Sequence, residues 1–241
     1  MILVALACAG PARETAPAAE PPAPAKPAKP AQPAAPAKPT VDAYAWKNLF
    51  DGKTLSGWKV PNFGGEGPVK VDQGVIVLGT GNSMTGIAFT GDVPKSNYEI
   101  ALEGKRISGG DFFCTTTFRV GDAPCSLVMG GWSGTVVGLS NVDNYDASEN
   151  ATTKFVDFKT GRWYRVLIRV SDAKIEAWID DEQLVDQPRA EHKFSIRDEC
   201  DLCQPLGICS WCTEGGVRNI RIRRLRPEEV AAAAADAKEK R

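Results

Sequence analysis

Residues 163–186 read WYRVLIRVSDAKIEAWIDDEQLVD. Three β-rich runs, WYRVLIRV, KIEAWID and EQLVD, follow one another closely, and the pair Asp180-Asp181 supplies a tight turn. This is the pattern of an antiparallel meander. It continues on both sides. Upstream, VKVDQGVIVL (69–78) reads strand, turn, strand, and DFFCTTTFRV and CSLVMGGW flank the hairpin turn GDAP. In NYEIALEGKRI (97–107), Tyr98, Ile100 and Leu102 alternate with Glu99, Ala101 and Glu103. Downstream, Ile220 and Ile222 alternate with Arg221 and Arg223 in RNIRIRRLR. A period of two sends neighbouring side chains to opposite faces of a strand. Many short strands with regular turn signals predict an all-β sandwich or jelly roll over 41–226, long enough for a single core. Trp163 and Trp178, in strong meander strands, are expected in that core.

The flanks read differently. MILVALACAG (1–10) is signal-like: a short apolar run ends in a lipobox-like Ala-Cys-Ala-Gly, with Cys8 as the residue to be lipidated. It lacks a basic start and carries Ala5 where a lipobox has Leu. The expectation is an exported protein, periplasmic or at the cell surface, touching a membrane only through that lipid anchor. Residues 11–40 are almost entirely Pro and Ala with scattered Lys, a disordered tether of polyproline character with a reach on the order of 90 Å. PEEVAAAAADAKEKR (227–241) reads as a short helical or disordered tail. The net charge of −1 and the alternating arginines of 218–226 read as a solvated strand face, so no nucleic-acid partner is expected.

WKNLFDGKTLSGWKV (46–60) resembles the opening signature of the bacterial 3-keto-disaccharide hydrolase family. The resemblance continues through NYEIALEGKRISGGDFFC, CSLVMGGWSGTVVGLS, DASENATT, GRWYRVLIRV, IEAWIDDEQLVD, PLGICSW and VRNIRIRRL, covering 43–226. It implies a concanavalin A-like jelly-roll β-sandwich of two antiparallel sheets. One segment departs: where many members carry Asn-Ser-Gly after the central strand, this chain has Gly109-Gly110-Asp111-Phe112-Phe113-Cys114. The resemblance also implies a 3-keto-glycoside hydrolase acting by elimination and hydration. A ketone at C3 acidifies the C2 proton, a base removes it, the C1 substituent leaves, and water adds to the enone. That chemistry needs a base, an electrophile for the enolate and an acid for the leaving oxygen.

The candidate catalytic residues are Glu103 as base, Lys105 or Arg106 near the enolate, and Asp111 as acid or orienting group. By parity Glu103 shares a face with Glu99, Ala101 and Lys105; that face either lines a concave sheet or is a solvated outer face with cross-strand ion pairs. Saccharides stack on aromatic rings and bond to carboxylates and amides, so Trp132, Asp146, Glu149 and Asn150 are the substrate-binding candidates; Trp132 has a core reading as well. No cofactor is required. Asp143 and Asp146 in DNYDASEN are weak Ca²⁺ candidates, against a polar loop that bonds its own backbone. His192 reads as an exposed loop histidine. The partner expected is a saccharide or glycan. A non-catalytic tethered glycan-binding module and a surface structural or adhesion domain compete with the enzyme on the same fold.

The segment ECDLCQPLGICSWC (199–212) holds four cysteines in two C-x-x-C pairs. Only five residues separate the pairs, too few for a zinc ribbon, and GICSW reads as a strand, which splits Cys209 from Cys212. In an exported protein disulfides are expected, with Cys114–Cys125 the simplest pair across the GDAP hairpin. The connectivity of Cys200, Cys203, Cys209 and Cys212 stays open.

Overall fold

A computed structural model describes residues 42–239. The expected lipidation site Cys8 and the Pro/Ala linker lie outside the described residues. In chain order the strands are β1 (Lys47–Asn48), β2 (Trp58–Lys59), β3 (Val69–Asp72), β4 (Val75–Leu78), β5 (Met84–Phe89), β6 (Tyr98–Ser108), β7 (Thr115–Val120), β8 (Ala123–Gly130), β9 (Val136–Ser140), β10 (Lys154–Phe155), β11 (Trp163–Val170), β12 (Lys174–Ile179), β13 (Glu182–Pro188), β14 (Gly207–Trp211) and β15 (Glu214–Arg224).

They form two antiparallel sheets. One runs β13-β12-β11-β6-β15-β4-β3, with β1 on β15, and the other runs β10-β9-β8-β7-β14-β5-β2. The inward residues of β6, Tyr98, Ile100 and Leu102, meet Phe118, Leu127 and Leu139 from the second sheet in one core. Tyr98 also donates its hydroxyl to the Arg119 carbonyl across the sandwich (2.6 Å), so the polar tip of a fully buried ring is satisfied.

The outer face of the first sheet carries a charge ladder. Glu99 stands in register between Arg169 and Arg223, and Glu103 between Arg165 and Arg218. Trp163 and Trp178 belong to this face and are half-buried, which corrects the expectation that they fill the core. Cations cover them: Arg218 lies 4.1 Å from the Trp163 ring centre and Arg169 lies 5.3 Å from that of Trp178. A stacked guanidinium shields an outward ring almost as a second sheet would.

Among the described residues the six cysteines are all free, so the disulfide expectation is overturned. The hairpin register explains Cys114 and Cys125. Cys125 sits opposite Phe118, and Cys114 lies four residues along the chain from Phe118. At about 3.3 Å per residue that offset is roughly 13 Å, beyond the reach of a disulfide. Cys114 packs instead against Gly104, where an added Cβ would fall 2.2 Å from its sulfur.

The tail is helical over Pro227–Glu239, with Glu228 and Glu229 in its first turn and Lys238 in its last, as the helix dipole favours. It docks through buried Ala233 and Ala237 and through Asp236, which ion-pairs with Lys174.

Candidate active site

The outer face of the second sheet carries small polar residues beside Val128. Thr115, Ser126 and Ser140 point outward between inward neighbours such as Thr116, Leu127 and Leu139. The Thr117 and Ser126 hydroxyls bond each other at 2.8 Å. Three segments roof this floor: the loop after β6 with Asp111 and Phe112, the turn after β8 with Trp132, and the stretch before β14 with Arg197, Glu199 and Cys200. Together with Trp211 they enclose a cavity of about 190 Å³.

The Trp132 turn is a left-handed run. Gly130, Trp132, Ser133 and Gly134 have φ of 82°, 48°, 68° and 105°. A non-glycine residue there costs about 1–2 kcal/mol, and two in succession mark a constrained position. The indole is 40% exposed, so Trp132 is not a core residue. Arg106 stabilises the turn from below. It points into the sandwich, its guanidinium 5.2 Å from the Phe113 ring centre, and donates to the Gly134 carbonyl at 2.8 Å. Burial lowers its pKa, opposed by the nearby Asp111 charge. Arg106 thus supports the cavity wall without lining the cavity. Asp111 does line it; one carboxylate oxygen accepts the Phe112 N–H (2.8 Å) and the other the Ser133 N–H (3.4 Å).

On the opposite segment, Arg197 donates to Glu199 (3.0 Å) and to Asp146 (3.0 Å). The Glu199 bond raises the Arg197 pKa, and the same bond holds the Glu199 carboxyl below the usual range. Asp146 accepts further bonds from the Ser148 N–H (2.9 Å) and hydroxyl (2.6 Å). Asn150 is turned inward on its own loop. Its amide donates to the Leu139 and Asp146 carbonyls, and its oxygen accepts from the Thr152 N–H and hydroxyl. Glu149 is exposed beside it. Asp143 accepts from the Lys193 N–H (2.8 Å) and pairs with His192 Nδ1 (2.7 Å). Both carboxylates proposed for Ca²⁺ are therefore held by cationic or N–H donors. No group of three or more His, Cys, Asp or Glu among the described residues gathers around a point a metal could occupy. The donor set does not fit a Ca²⁺ site.

Glu103 and Lys105 lie on the other sheet. Burial pushes the Glu103 carboxyl up, but Asn219 (2.7 Å) and Arg218 (2.8 Å) outweigh it and hold the group below the usual range. Lys105 caps Trp163 with its ammonium 4.7 Å from the ring centre. The candidates thus separate: Asp111 and Trp132 come together, with Asp146 behind Arg197, while Glu103 and Lys105 belong to the charge ladder on the opposite sheet. Sequence reasoning passed over Phe112, Arg197, Glu199 and Trp211 as site residues. Of these, Phe112 lies in the Gly109–Cys114 segment that the sequence sets apart, and Trp211 has a local signal through its parity with Cys209 in GICSW.

A family model described as the 3-keto-alpha-glucoside-1,2-lyase-like domain matches residues 45–223. A search of curated proteins returned no match. Among solved structures, the Crh5 transglycosylase superposes with a TM-score of 0.54 at 14% identity, over 77% of this chain and 86% of that one. A candidate glycosyl hydrolase from Parabacteroides distasonis superposes at 0.49 and 19% identity, over 75% and 94%. A carbohydrate-binding module from Bacillus subtilis superposes at 0.44 and 11%, over 69% and 95%. At such identities the likeness to solved structures shows the fold alone. The extent of the family match, covering most of the chain, shows that this protein belongs to the 3-keto-alpha-glucoside-1,2-lyase-like, or 3-keto-disaccharide hydrolase, family.

Proposed function

We propose that this protein cleaves 3-keto-glycosides in the cavity beneath Trp132, by elimination and then hydration. The observation that carries the reading is the meeting of a carboxylate, Asp111, and a guanidinium, Arg197, from two separate segments in one aromatic-walled cavity. Asp111 takes the acidified C2 proton and returns it to the glycosidic oxygen as that oxygen leaves C1. Arg197 receives the charge that develops on the C3 oxygen, and Glu199 holds Arg197 in position. The Thr115, Ser126 and Ser140 hydroxyls on the floor bond the sugar hydroxyls, and the rings of Trp132 and Trp211 cover its apolar faces. Water then adds at C1 of the enone.

A non-catalytic glycan-binding role is the second reading. It is favoured by one feature: both Asp111 oxygens and both Arg197 arms already have partners. Incubation with 3-keto-disaccharides and with the matching unoxidised sugars separates the two. Turnover of the keto sugars alone, lost by about 10²–10⁴ in Asp111→Asn, is expected of general-base catalysis. Saturable binding to an unmodified glycan with no turnover of any keto sugar would replace the enzyme reading with the binding one.

A further inference from the structure

Phe155 is the most exposed large apolar side chain among the described residues, at 75%. A lone exposed ring is ordinary on a protein surface. This one is set beside the cavity by strand register. The two-residue edge strand β10 places Phe155 directly opposite Val136 of β9. Residues paired in this way send their side chains to one face, with Cβ atoms about 4.5–5.5 Å apart. Val137 and Leu139 of β9 fill the core, so Val136 points outward. There it packs with Val128 and Ala147 against Phe112, and both Val128 and Phe112 line the cavity. Val136 thus adjoins Phe155 on one side and the residues of the cavity wall on the other. It also bridges Gly131, the residue before Trp132. Only three aromatic side chains among the described residues are exposed: Trp132, Tyr145 and Phe155. Trp132 and Phe155 share this outer face, and Tyr145 directly precedes Asp146, which holds Arg197.

The cavity is small for a whole disaccharide. Its volume of about 190 Å³ falls below the roughly 300–1,000 Å³ of sites that enclose drug-sized ligands. The sugar ring that loses its C2 proton must lie inside, against Asp111 and Arg197. The part left outside is then the leaving group. A pyranose ring outside the cavity needs a flat apolar surface for its C–H face, and Phe155 is the exposed ring that continues the cavity wall. Phenylalanine has no polar tip, so no hydrogen bond accounts for a ring standing in water at this position.

We propose that Phe155 is the platform for the leaving group, and that the class it takes is a pyranose or another ring with a flat apolar face. The proposal rests on the function proposed above. Phe155 then determines specificity without touching the reacting atoms. It holds the departing ring equally well before and during proton transfer. Loss of such uniform binding raises KM and leaves kcat unchanged. A leaving group as small as methanol does not extend to β10 and gains nothing from the ring.

The test compares two kinds of leaving group on the full chain: the 3-keto forms of maltose, cellobiose and trehalose, and the methyl 3-keto-glucosides. For a disaccharide that the parent cleaves, Phe155→Ala should raise KM by roughly 3–10-fold at unchanged kcat, with the methyl glucosides held within about twofold. Phe155→Trp should restore the disaccharide, and Phe155→Leu, apolar but not flat, should not. A ring with a merely structural role would move the melting temperature and both kinds of substrate together. Cleavage of the methyl glucosides alone, equal losses on the two kinds, or no loss on the disaccharide would overturn the platform. So would a parent that sediments as a dimer and a Phe155→Ala variant that sediments as a monomer with unmoved kinetics, since the ring would then belong to a contact with a second copy. If the parent cleaves no keto sugar, the elimination reading falls and the platform is judged by calorimetric titration with unoxidised maltose, cellobiose and trehalose. Tighter binding of one of these by the parent than by Phe155→Ala, with methyl glucoside bound alike, upholds it. Equal binding, or none, overturns it.

Discussion

Glu99 and Glu103 are four residues apart on one face of β6, each in register between two arginines, yet they should respond very differently to loss of charge. The Glu99 side chain is 2% exposed and accepts from Arg169 at 2.8 Å and Arg223 at 2.6 Å. Glu99→Gln removes the buried charge between the two guanidiniums, leaving Arg223 with Glu229 (2.6 Å) and Arg169 with the more distant Glu176 (3.8 Å). Breaking a buried pair from one side costs about 3–5 kcal/mol. For a domain of this size each kcal/mol lowers Tm by about 2–4 °C, so a fall of roughly 6–20 °C is expected. The Glu103 and Arg218 side chains are 23% and 38% exposed, and such a pair is worth about 0–1 kcal/mol. Glu103→Gln should lower Tm by less than about 4 °C. The Glu103 carboxyl is held below its usual range, so its contribution is present above the unfolded pKa and lost as pH falls through the folded one. The small gap between Glu103→Gln and the parent should therefore close in acid. Calorimetry at neutral and acidic pH, with turnover of a keto sugar measured on both variants, checks the whole argument. Equal losses of Tm would refute the burial reasoning. Abolished turnover in Glu103→Gln at unchanged Tm would put the chemistry on the wrong sheet.

Three more perturbations test separate parts of the fold. Lys174, 4% exposed, bridges Glu176 (2.9 Å), Asp186 (3.1 Å) and Asp236 of the tail helix. Lys174→Met should cost about 3–5 kcal/mol in urea unfolding and make the helix more sensitive to limited proteolysis. Gly104→Ala would place a Cβ 2.2 Å from the Cys114 sulfur, and overpacking of that kind costs about 1–3 kcal/mol. Adding Cys114→Ala should recover only part of it, because the Cys114 Cβ is itself 3.0 Å away, and thermal melts of the single and double variants measure the recovery. Glu229 is held at about 2 by its bonds to Arg223, so its stabilisation exists above the unfolded carboxyl pKa and disappears as pH falls towards about 2. Glu229→Gln should flatten that part of an acid titration followed by circular dichroism.

The strands and the facing of their side chains were legible because a period of two is a local property. Tyr98, Ile100 and Leu102 declare a buried face within their own strand. Which charged face looks outward is not local. The parity of Glu99, Glu103 and Lys105 was plain, but only the register with β11 and β15 sets arginines on both sides of each glutamate. Trp163 and Trp178 were misplaced for the same reason: an outward tryptophan covered by arginines from neighbouring strands has the same local sequence as one in the core. The disulfide expectation failed on register too, since it placed Cys114 near the turn when four residues of offset separate it from the position opposite Cys125.

The site divides along the same line. Asp111 and Trp132 could be nominated because each lies in a glycine-rich break between strands, where a side chain is free to leave the sheet. Arg197, Glu199 and Cys200 sit in a stretch with no such signal, and reach the cavity only because β14 pairs with β7 and carries the preceding turn over the floor. The two sheets then treat charge in opposite ways. On the first, carboxylates and guanidiniums neutralise one another in register and leave a structural surface. On the second, the floor is uncharged, made of hydroxyl groups and Val128, and every ionised group lining the cavity comes from the roof. Chemistry in this fold is therefore expected to vary with the three roofing segments while the floor stays constant.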